Sequence, residues 1–162
     1  MLIRPACSAE DIVQVQSLFR EYADSLEYDL CFQSFEQELA GLPGAYAPPS
    51  GVILLAMEED RAAGCIGLRP QSPPFIAEMK RLYVRPQFRR GGTGRALVSH
   101  LLQYALSQGY TSIRLDTLPV MTQAIAMYHS LGFREIAPYT HNPVPGALFL
   151  ELSLLSSSSA VK

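Results

Sequence analysis

The sequence lacks the features that would place it in several specialised classes. It has only three cysteines, Cys7, Cys31 and Cys65. They are odd in number and far apart, so they make neither a full disulfide framework nor a metal-ligand set, and no metal is expected. Buried or idle thiols in a reducing compartment are the reading that remains, which points to the cytoplasm. No apolar run approaches the roughly 20 residues needed to span a bilayer. No secretory signal precedes the first polar turn, which again favours the cytoplasm. An excess of one charge is also missing: 13 Lys+Arg against 15 Asp+Glu give a formal net charge of -2. Long-range attraction to nucleic acid or to an anionic membrane is therefore not expected, although local basic clusters can still hold a small anion. Disordered composition is confined to Ser156-Ser157-Ser158-Ser159, so a frayed tail is expected over 156–162 and a single domain over 1–155. With 48% hydrophobic and 17% charged residues over 162 positions, the chain can bury one sizeable core.

What is present is an ordered alternation of elements. Leu2-Ile3-Arg4 reads as a short strand ended by Pro5. Ser8 opens a helix, with Glu10 and Asp11 in the first turn as a variant capping box. Ile12, Val15, Phe19, Tyr22 and Leu26 follow at helical spacing. A shorter helix is expected from about Ser34 to Leu42, and a loop from Pro43 to Gly51. Val52 to Met57 is a nearly continuous apolar run and reads as a central strand, paired in a hairpin with Ala62 to Leu68. Ile76 to Val84 is the next strand, and Gly92 to Ser107 the clearest helix, closed by Gly109. A strand over Ile113–Thr117, a helix over Thr122–Ser130, a possible short strand near Phe133 and a final strand over Ala147–Leu154 complete the chain. The order predicts an α/β fold, a mixed sheet with helices on both faces.

The most informative stretch runs from Val84 to Leu97, where a strand enters a glycine-rich turn and the turn enters an amphipathic helix. The first N–H groups of a helix lack intrahelical partners and carry partial positive charge. Glycines let that backbone approach a ligand, and Arg89, Arg90 and Arg95 add full charges. The combination suits a pyrophosphate or a similar anion. The nucleotide P-loop is excluded, because Gly94 is followed by Arg95-Ala96 and not by lysine and a hydroxyl. The dinucleotide fingerprint is excluded too, because Leu97 stands where a small residue is required.

Arg89-x-x-Gly92-x-Gly94, preceded by Leu82-Tyr83-Val84-Arg85-Pro86, resembles the acetyl-CoA-binding motif of the GNAT superfamily of N-acetyltransferases. Ala124 to Phe133, ending in Tyr128-x-x-Leu131-Gly132-Phe133, resembles that superfamily's second signature, in the right order on the right elements. The resemblance covers nearly the whole chain. It implies a mostly antiparallel twisted sheet with a splayed central strand pair. It also implies acetyl-CoA as acyl donor, with Arg89, Arg90, Gly91, Gly92, Thr93, Gly94 and Arg95 around the pyrophosphate. A bulge in the strand before the turn would free the backbone of Leu82, Tyr83 and Val84 for the pantetheine arm and the thioester.

Acyl transfer from a thioester to an amine requires a deprotonated amine, donors for the developing oxyanion and, less strictly, a proton for the leaving thiolate. At pH 7 an alkylammonium of pKa ~10.4 is only about 0.04% neutral. The resemblance places Tyr128 at the sulfur, where its phenol can donate; the alternative is a half-buried aromatic on an amphipathic helix. It places Glu78, eleven residues before Arg89, in the position of a general base. The alternative for Glu78 is a salt bridge to Lys80 or Arg81. One departure is Met121, seven residues before Tyr128, where many relatives carry a pantetheine-contacting asparagine. Gln123 or backbone groups are the candidate replacements.

The acceptor site implied by the resemblance is built from the first two helices, their connection and the segment before the last strand. Tyr22, Tyr28, Phe32 and Phe35 are candidate lining residues, although at helical spacing they also suit a core. Asp116, beside Thr117, is a candidate structural or substrate-binding carboxylate. His141 and Asn142, in the proline-stiffened loop Tyr139–Gly146, are further candidates. The expected reaction is acetylation of a primary amine of a small molecule or amino acid. The alternatives are a peptide or protein acetyltransferase and a non-catalytic acyl-CoA sensor. Homodimers are common among proteins of this kind, so a second copy is a candidate partner.

Overall fold

The computed structural model describes residues 1–30 and 34–155. Cys31, Phe32 and the tail expected to fray lie outside the described residues. Seven strands form one sheet in the order β1-β2-β3-β4-β5-β7-β6. They are β1 (Leu2–Pro5), β2 (Val52–Glu58), β3 (Arg61–Pro70), β4 (Ile76–Val84), β5 (Ser112–Thr117), β6 (Arg134–Glu135) and β7 (Leu148–Ser153). All neighbours are antiparallel except β4 and β5. The helices are α1 (Ala9–Ser25), α2 (Phe35–Ala40), α3 (Thr93–Ser107) and α4 (Thr122–Ser130). No helix among the described residues is long and apolar enough to cross a membrane.

The two faces of the sheet carry separate cores. Leu54, Ala56, Ile66, Leu68, Ala77 and Met79 point to one side, against Leu97 and Leu101 of α3 and Tyr128 of α4. Ile53, Leu55, Met57 and Cys65 point to the other, against Val15, Leu18 and Phe19 of α1 and Leu39 of α2. This alternation is the period-two pattern of a sheet buried on both faces, and it explains why β2 reads as a continuous apolar run.

Helix α1 starts on a complete capping box. Asp11 N–H donates to Ser8 Oγ at 3.0 Å, and Ser8 N–H donates back to Asp11 Oδ2 at 3.2 Å. Asp11 also receives Cys7 N–H at 2.9 Å and both terminal nitrogens of Arg4, tying β1 to the helix. Helix α2 is shorter than the expected Ser34 to Leu42 at both ends: Ser34, its N-cap, takes a left-handed φ of 56°, and Gly41 caps its C-terminus. The expected loop Pro43–Gly51 contains a 3-10 turn, Gly44–Tyr46. It drives Tyr46 into the core at 2% exposure, edge-on to Phe19. Gly67 makes room for that ring, since a Cβ there would stand 2.7 Å from Tyr46 Cε1.

Two irregularities open the middle of the sheet. Between the pairs Cys65↔Tyr83 and Gly67↔Lys80, β3 contributes Ile66 alone while β4 contributes Arg81 and Leu82. This is a bulge on β4, and Arg81 stands at its φ of 62°. Meanwhile β4 and β5 pair only at Ile76↔Ser112, Ala77↔Ile113 and Glu78↔Arg114, and beyond that point the strands part. The splayed central pair is thus present, and it opens toward the C-terminal ends of both strands.

Candidate active site

The glycine-rich turn leads from β4 into α3. Arg90 has φ 74°, and Gly92, the helix N-cap, has φ 80°. Ala96 N–H is the first to bond back, to Gly92 O at 3.0 Å. Among the described residues, the N–H groups from Arg90 to Arg95 have no acceptor. A Cβ added at Gly91 or Gly92 would meet nothing within 4 Å, and at Gly94 only Val84 Cγ2 at 3.8 Å. The turn therefore offers a run of unpaired donors facing open space, the arrangement a pyrophosphate requires. The three arginines differ. Arg89 donates from Nε to Val84 O at 2.8 Å and lies 5.6 Å above the Tyr83 ring. Arg95 donates to Ser130 Oγ, joining the start of α3 to the end of α4. Arg90 is exposed beside the turn.

The strand before the turn aims two amides into the splay. Arg85 N–H bonds to Ala63 O at 2.8 Å, so the backbone at this end of β4 alternates outward from that contact. Tyr83 faces β3, whereas Leu82 and Val84 face away from it, toward β5. Tyr83 turns its ring to the α1 side, edge-on to Tyr22 at 6.2 Å, and its backbone is taken up by the sheet.

The splay forms the floor of a cleft that opens to solvent. Met79, Lys80, Arg81 and Leu82 line it from β4, and Leu115, Asp116 and Thr117 from β5. Met121 and Tyr128 close it on the α4 side; Tyr22, Leu26 and Tyr28 on the α1 side; Asn142 and Val144 from the loop before β7. Tyr128 is 6% exposed, packed on Phe133 with ring centroids 5.5 Å apart. Burial first, and the nearby Tyr22 second, push its phenol well above the ordinary range, so it stays protonated at neutral pH. Met121 receives the Thr117 hydroxyl at Sδ, 3.5 Å away, while Gln123 is exposed and does not line the cleft.

Glu78 stands at the last β4–β5 pair, 1% exposed, outside the lining. Its partner is neither Lys80 nor Arg81, as the alternative reading had it. Arg69 holds Oε1 at 2.8 Å, and Tyr139 donates to Oε2 at 2.7 Å. Burial and the adjacent Glu78 push the Tyr139 phenol far upward, so it remains a donor. Arg81 is claimed by Glu38 through bonds of 2.8 and 3.0 Å. Asp116 accepts Asn142 Nδ2 at 3.0 Å and lies 4.0 Å from Lys80 Nζ. Among the substrate candidates, Tyr28, Asp116 and Asn142 reach the cleft. His141 does not: it is exposed on the loop and absent from the lining. Sequence reasoning missed Arg69, Tyr139, Glu38 and the cleft role of Lys80. Three charged residues in a largely apolar strand, Glu78, Lys80 and Arg81, were the available signal. No group of three or more potential metal ligands occurs among the described residues.

A family model described as acetyltransferase (GNAT) family matches residues 12–133. The chain belongs to the GNAT family. It is an acyltransferase, and acetyl-CoA is the acyl donor of that family. This GNAT enzyme is 39% identical over 146 residues to an uncharacterized N-acetyltransferase of Schizosaccharomyces pombe, covering 90% of each chain. It is 30% identical to an uncharacterized N-acetyltransferase of Dictyostelium discoideum, over 95% of this chain and 100% of that one. The human N-acetylaspartate synthetase is 29% identical over 61% of this chain but only 33% of its own length. In fold, the GNAT enzyme is similar to a GNAT acetyltransferase of Staphylococcus aureus, with a TM-score of 0.77 at 19% identity over 94% and 99% of the two chains. It is also similar to a putative acetyltransferase of Salmonella typhimurium solved with acetyl-CoA, with a TM-score of 0.74 at 20% identity over 94% and 93%.

Proposed function

We propose that this enzyme acetylates the primary amine of a small molecule or amino acid by direct attack, in the cleft between β4 and β5. The observation that carries the proposal is the run of unpaired amides over 90–95, which directly follows the strand whose Leu82 lines the cleft together with Tyr128. Acetyl-CoA supplies a thioester-activated acetyl group. Amides at the start of α3 would hold its pyrophosphate, with Arg90 adding charge. Leu82 and Val84 N–H groups would hold the pantetheine arm and steady the negative charge that develops on the carbonyl oxygen. Tyr128 would give its proton to the departing sulfur as the C–S bond breaks and the C–N bond forms. Glu78 would accept the amine proton. Glu78 precedes the lining residue Met79 and does not itself line the cleft, so an intervening water would complete the path.

The acceptor class draws support from the shape of the cleft. It is walled by α1 on one side and by Asn142 and Val144 on the other, which suits a compact amine better than an extended peptide. The name of one relative, N-acetylaspartate synthetase, points the same way. The test uses Gly94→Ala. Its Cβ has space in the free protein, so folding should be unimpaired or slightly improved by the better helix former. The same Cβ stands where the pyrophosphate would approach, and the dissociation constant for CoA measured by calorimetry should rise about tenfold, a loss of ~1.4 kcal/mol. Unchanged CoA affinity would remove the turn from the site.

A further inference from the structure

Lys80 and Asp116 occupy equivalent places on the two splayed strands. The last paired residues are Glu78 and Arg114, and each of the two stands two positions beyond, on the face that looks toward α1. Both are buried, with side chains 7% and 6% exposed, and both line the cleft. Their charged atoms are 4.0 Å apart, so they attract across the opening without sharing a hydrogen bond. Asn142 aims the carboxylate. Its Nδ2 donates to Asp116 Oδ2 at 3.0 Å, and its Oδ1 is fixed in turn by Val144 N–H at 3.0 Å. The Oδ1 of Asp116 is left turned toward Lys80.

We infer that the acceptor is a zwitterionic amino acid, its ammonium received by Asp116 and its carboxylate by Lys80. This rests on the acetyltransferase reading of the same cleft and narrows it. The argument is one of charge balance. Among the described residues, the cleft's charged side chains are Lys80, Arg81 and Asp116, and Arg81 is already matched by Glu38. Lys80 and Asp116 then cancel. A bare alkylammonium entering this space would bury one uncompensated positive charge beside Lys80, which is costly. A zwitterion adds none. An α-amino acid carries its two charges on groups bonded to one carbon, which suits pairing side by side with two opposite charges only 4.0 Å apart. Burial also pushes the Lys80 ammonium below its ordinary range, against the pull of Glu78 and Asp116, and a second carboxylate opposes that cost.

The experiment compares each of the common α-amino acids with its carboxamide as acceptor, at saturating acetyl-CoA, by thiol release from the full chain. The expected result is that at least one free acid is turned over with kcat/KM about thirtyfold above its amide, the size of a lost charged hydrogen bond. Lys80→Met should raise KM for that acid about tenfold. By the same charge balance it should lower the amide's KM or at least not raise it, and it should keep the acetyl-CoA KM within about twofold of the parent. Equal use of acids and amides, no turnover of any free acid, or an equal loss on both by Lys80→Met would overturn the inference. If Lys80→Met fails to fold, the acid-against-amide comparison on the unmodified chain decides alone. Simple diamines and peptide amines run alongside separate the two levels. Thiol release with these but not with amino acids removes the inference and keeps the acetyltransferase. No release with any amine, together with no CoA binding, removes both.

Discussion

Tyr128→Phe is the substitution that isolates one chemical step. The ring lies 5.5 Å from Phe133 at an interplanar angle of 58°, and this contact belongs to carbon atoms that phenylalanine keeps. Removing a hydroxyl from a well-packed ring is nearly volume-conserving, so stability should change by less than about 1.5 kcal/mol. On the proposed mechanism, what is lost is the proton for the departing sulfur. General acids contribute on the order of 100- to 10,000-fold, and a thiolate of pKa about 8.5 is a tolerable leaving group by itself. The lower end therefore applies, and kcat should fall about 100-fold, or ~2.7 kcal/mol of transition-state stabilisation. The CoA dissociation constant should change less than about threefold, because binding is assigned to the backbone of α3 and β4. The phenol's folded pKa is raised, so its protonated form persists from pH 6 to 9 and the defect should not vary across that range. Steady-state kinetics at several pH values and calorimetry with CoA make the measurement. An unchanged kcat, or a loss expressed wholly in CoA affinity, would refute the reasoning.

Other outcomes follow from particular contacts. Glu78→Gln keeps an acceptor for Arg69, turns an amide donor toward the Tyr139 hydroxyl and removes the charge, so kcat/KM should fall at least about tenfold in steady-state kinetics. An unaltered kcat/KM would leave Glu78 as the structural partner of Arg69. Arg4 and the amides of Cys7 and Ser8 hold the Asp11 carboxyl well below the usual carboxylate range. A depressed folded pKa means that the stabilisation is complete above about pH 4 and is lost as pH falls toward the folded value. Asp11→Asn should therefore lower Tm at pH 7, and the gap to the parent should shrink by pH 3 in a thermal melt. Gly67→Ala pushes a methyl group to 2.7 Å from the Tyr46 ring, and denaturant unfolding should show a loss of about 1–3 kcal/mol.

Local chemistry made much of this protein legible before folding. Ser8 and Asp11 announce a helix start through their own short side chains, and Gly109 with φ 88° ends α3 because it lacks a Cβ. The glycine-rich turn is legible for the same reason: its spacing is a property of consecutive residues. Pairings between distant segments were not. The sequence sets Glu78 beside Lys80 and Arg81, yet its partners Arg69 and Tyr139 come from the adjacent strand and from a loop 61 residues away. Tyr46 lay in a stretch that reads as a loop from its three prolines, and only a turn between distant parts of the core buries it. His141 and Asn142 are adjacent and equally polar, but the bond to Asp116 brings one into the cleft and leaves the other in solvent.

The order of strands and helices, the two apolar faces and the glycine-rich turn were written in the linear sequence, because periodicity and backbone freedom act over a few residues. The opening of β4 from β5, the burial of Glu78 and the meeting of Lys80 with Asp116 were decided by the assembled sheet. A charge buried there can be satisfied only by whatever groups packing delivers to it, and that is a property of three dimensions.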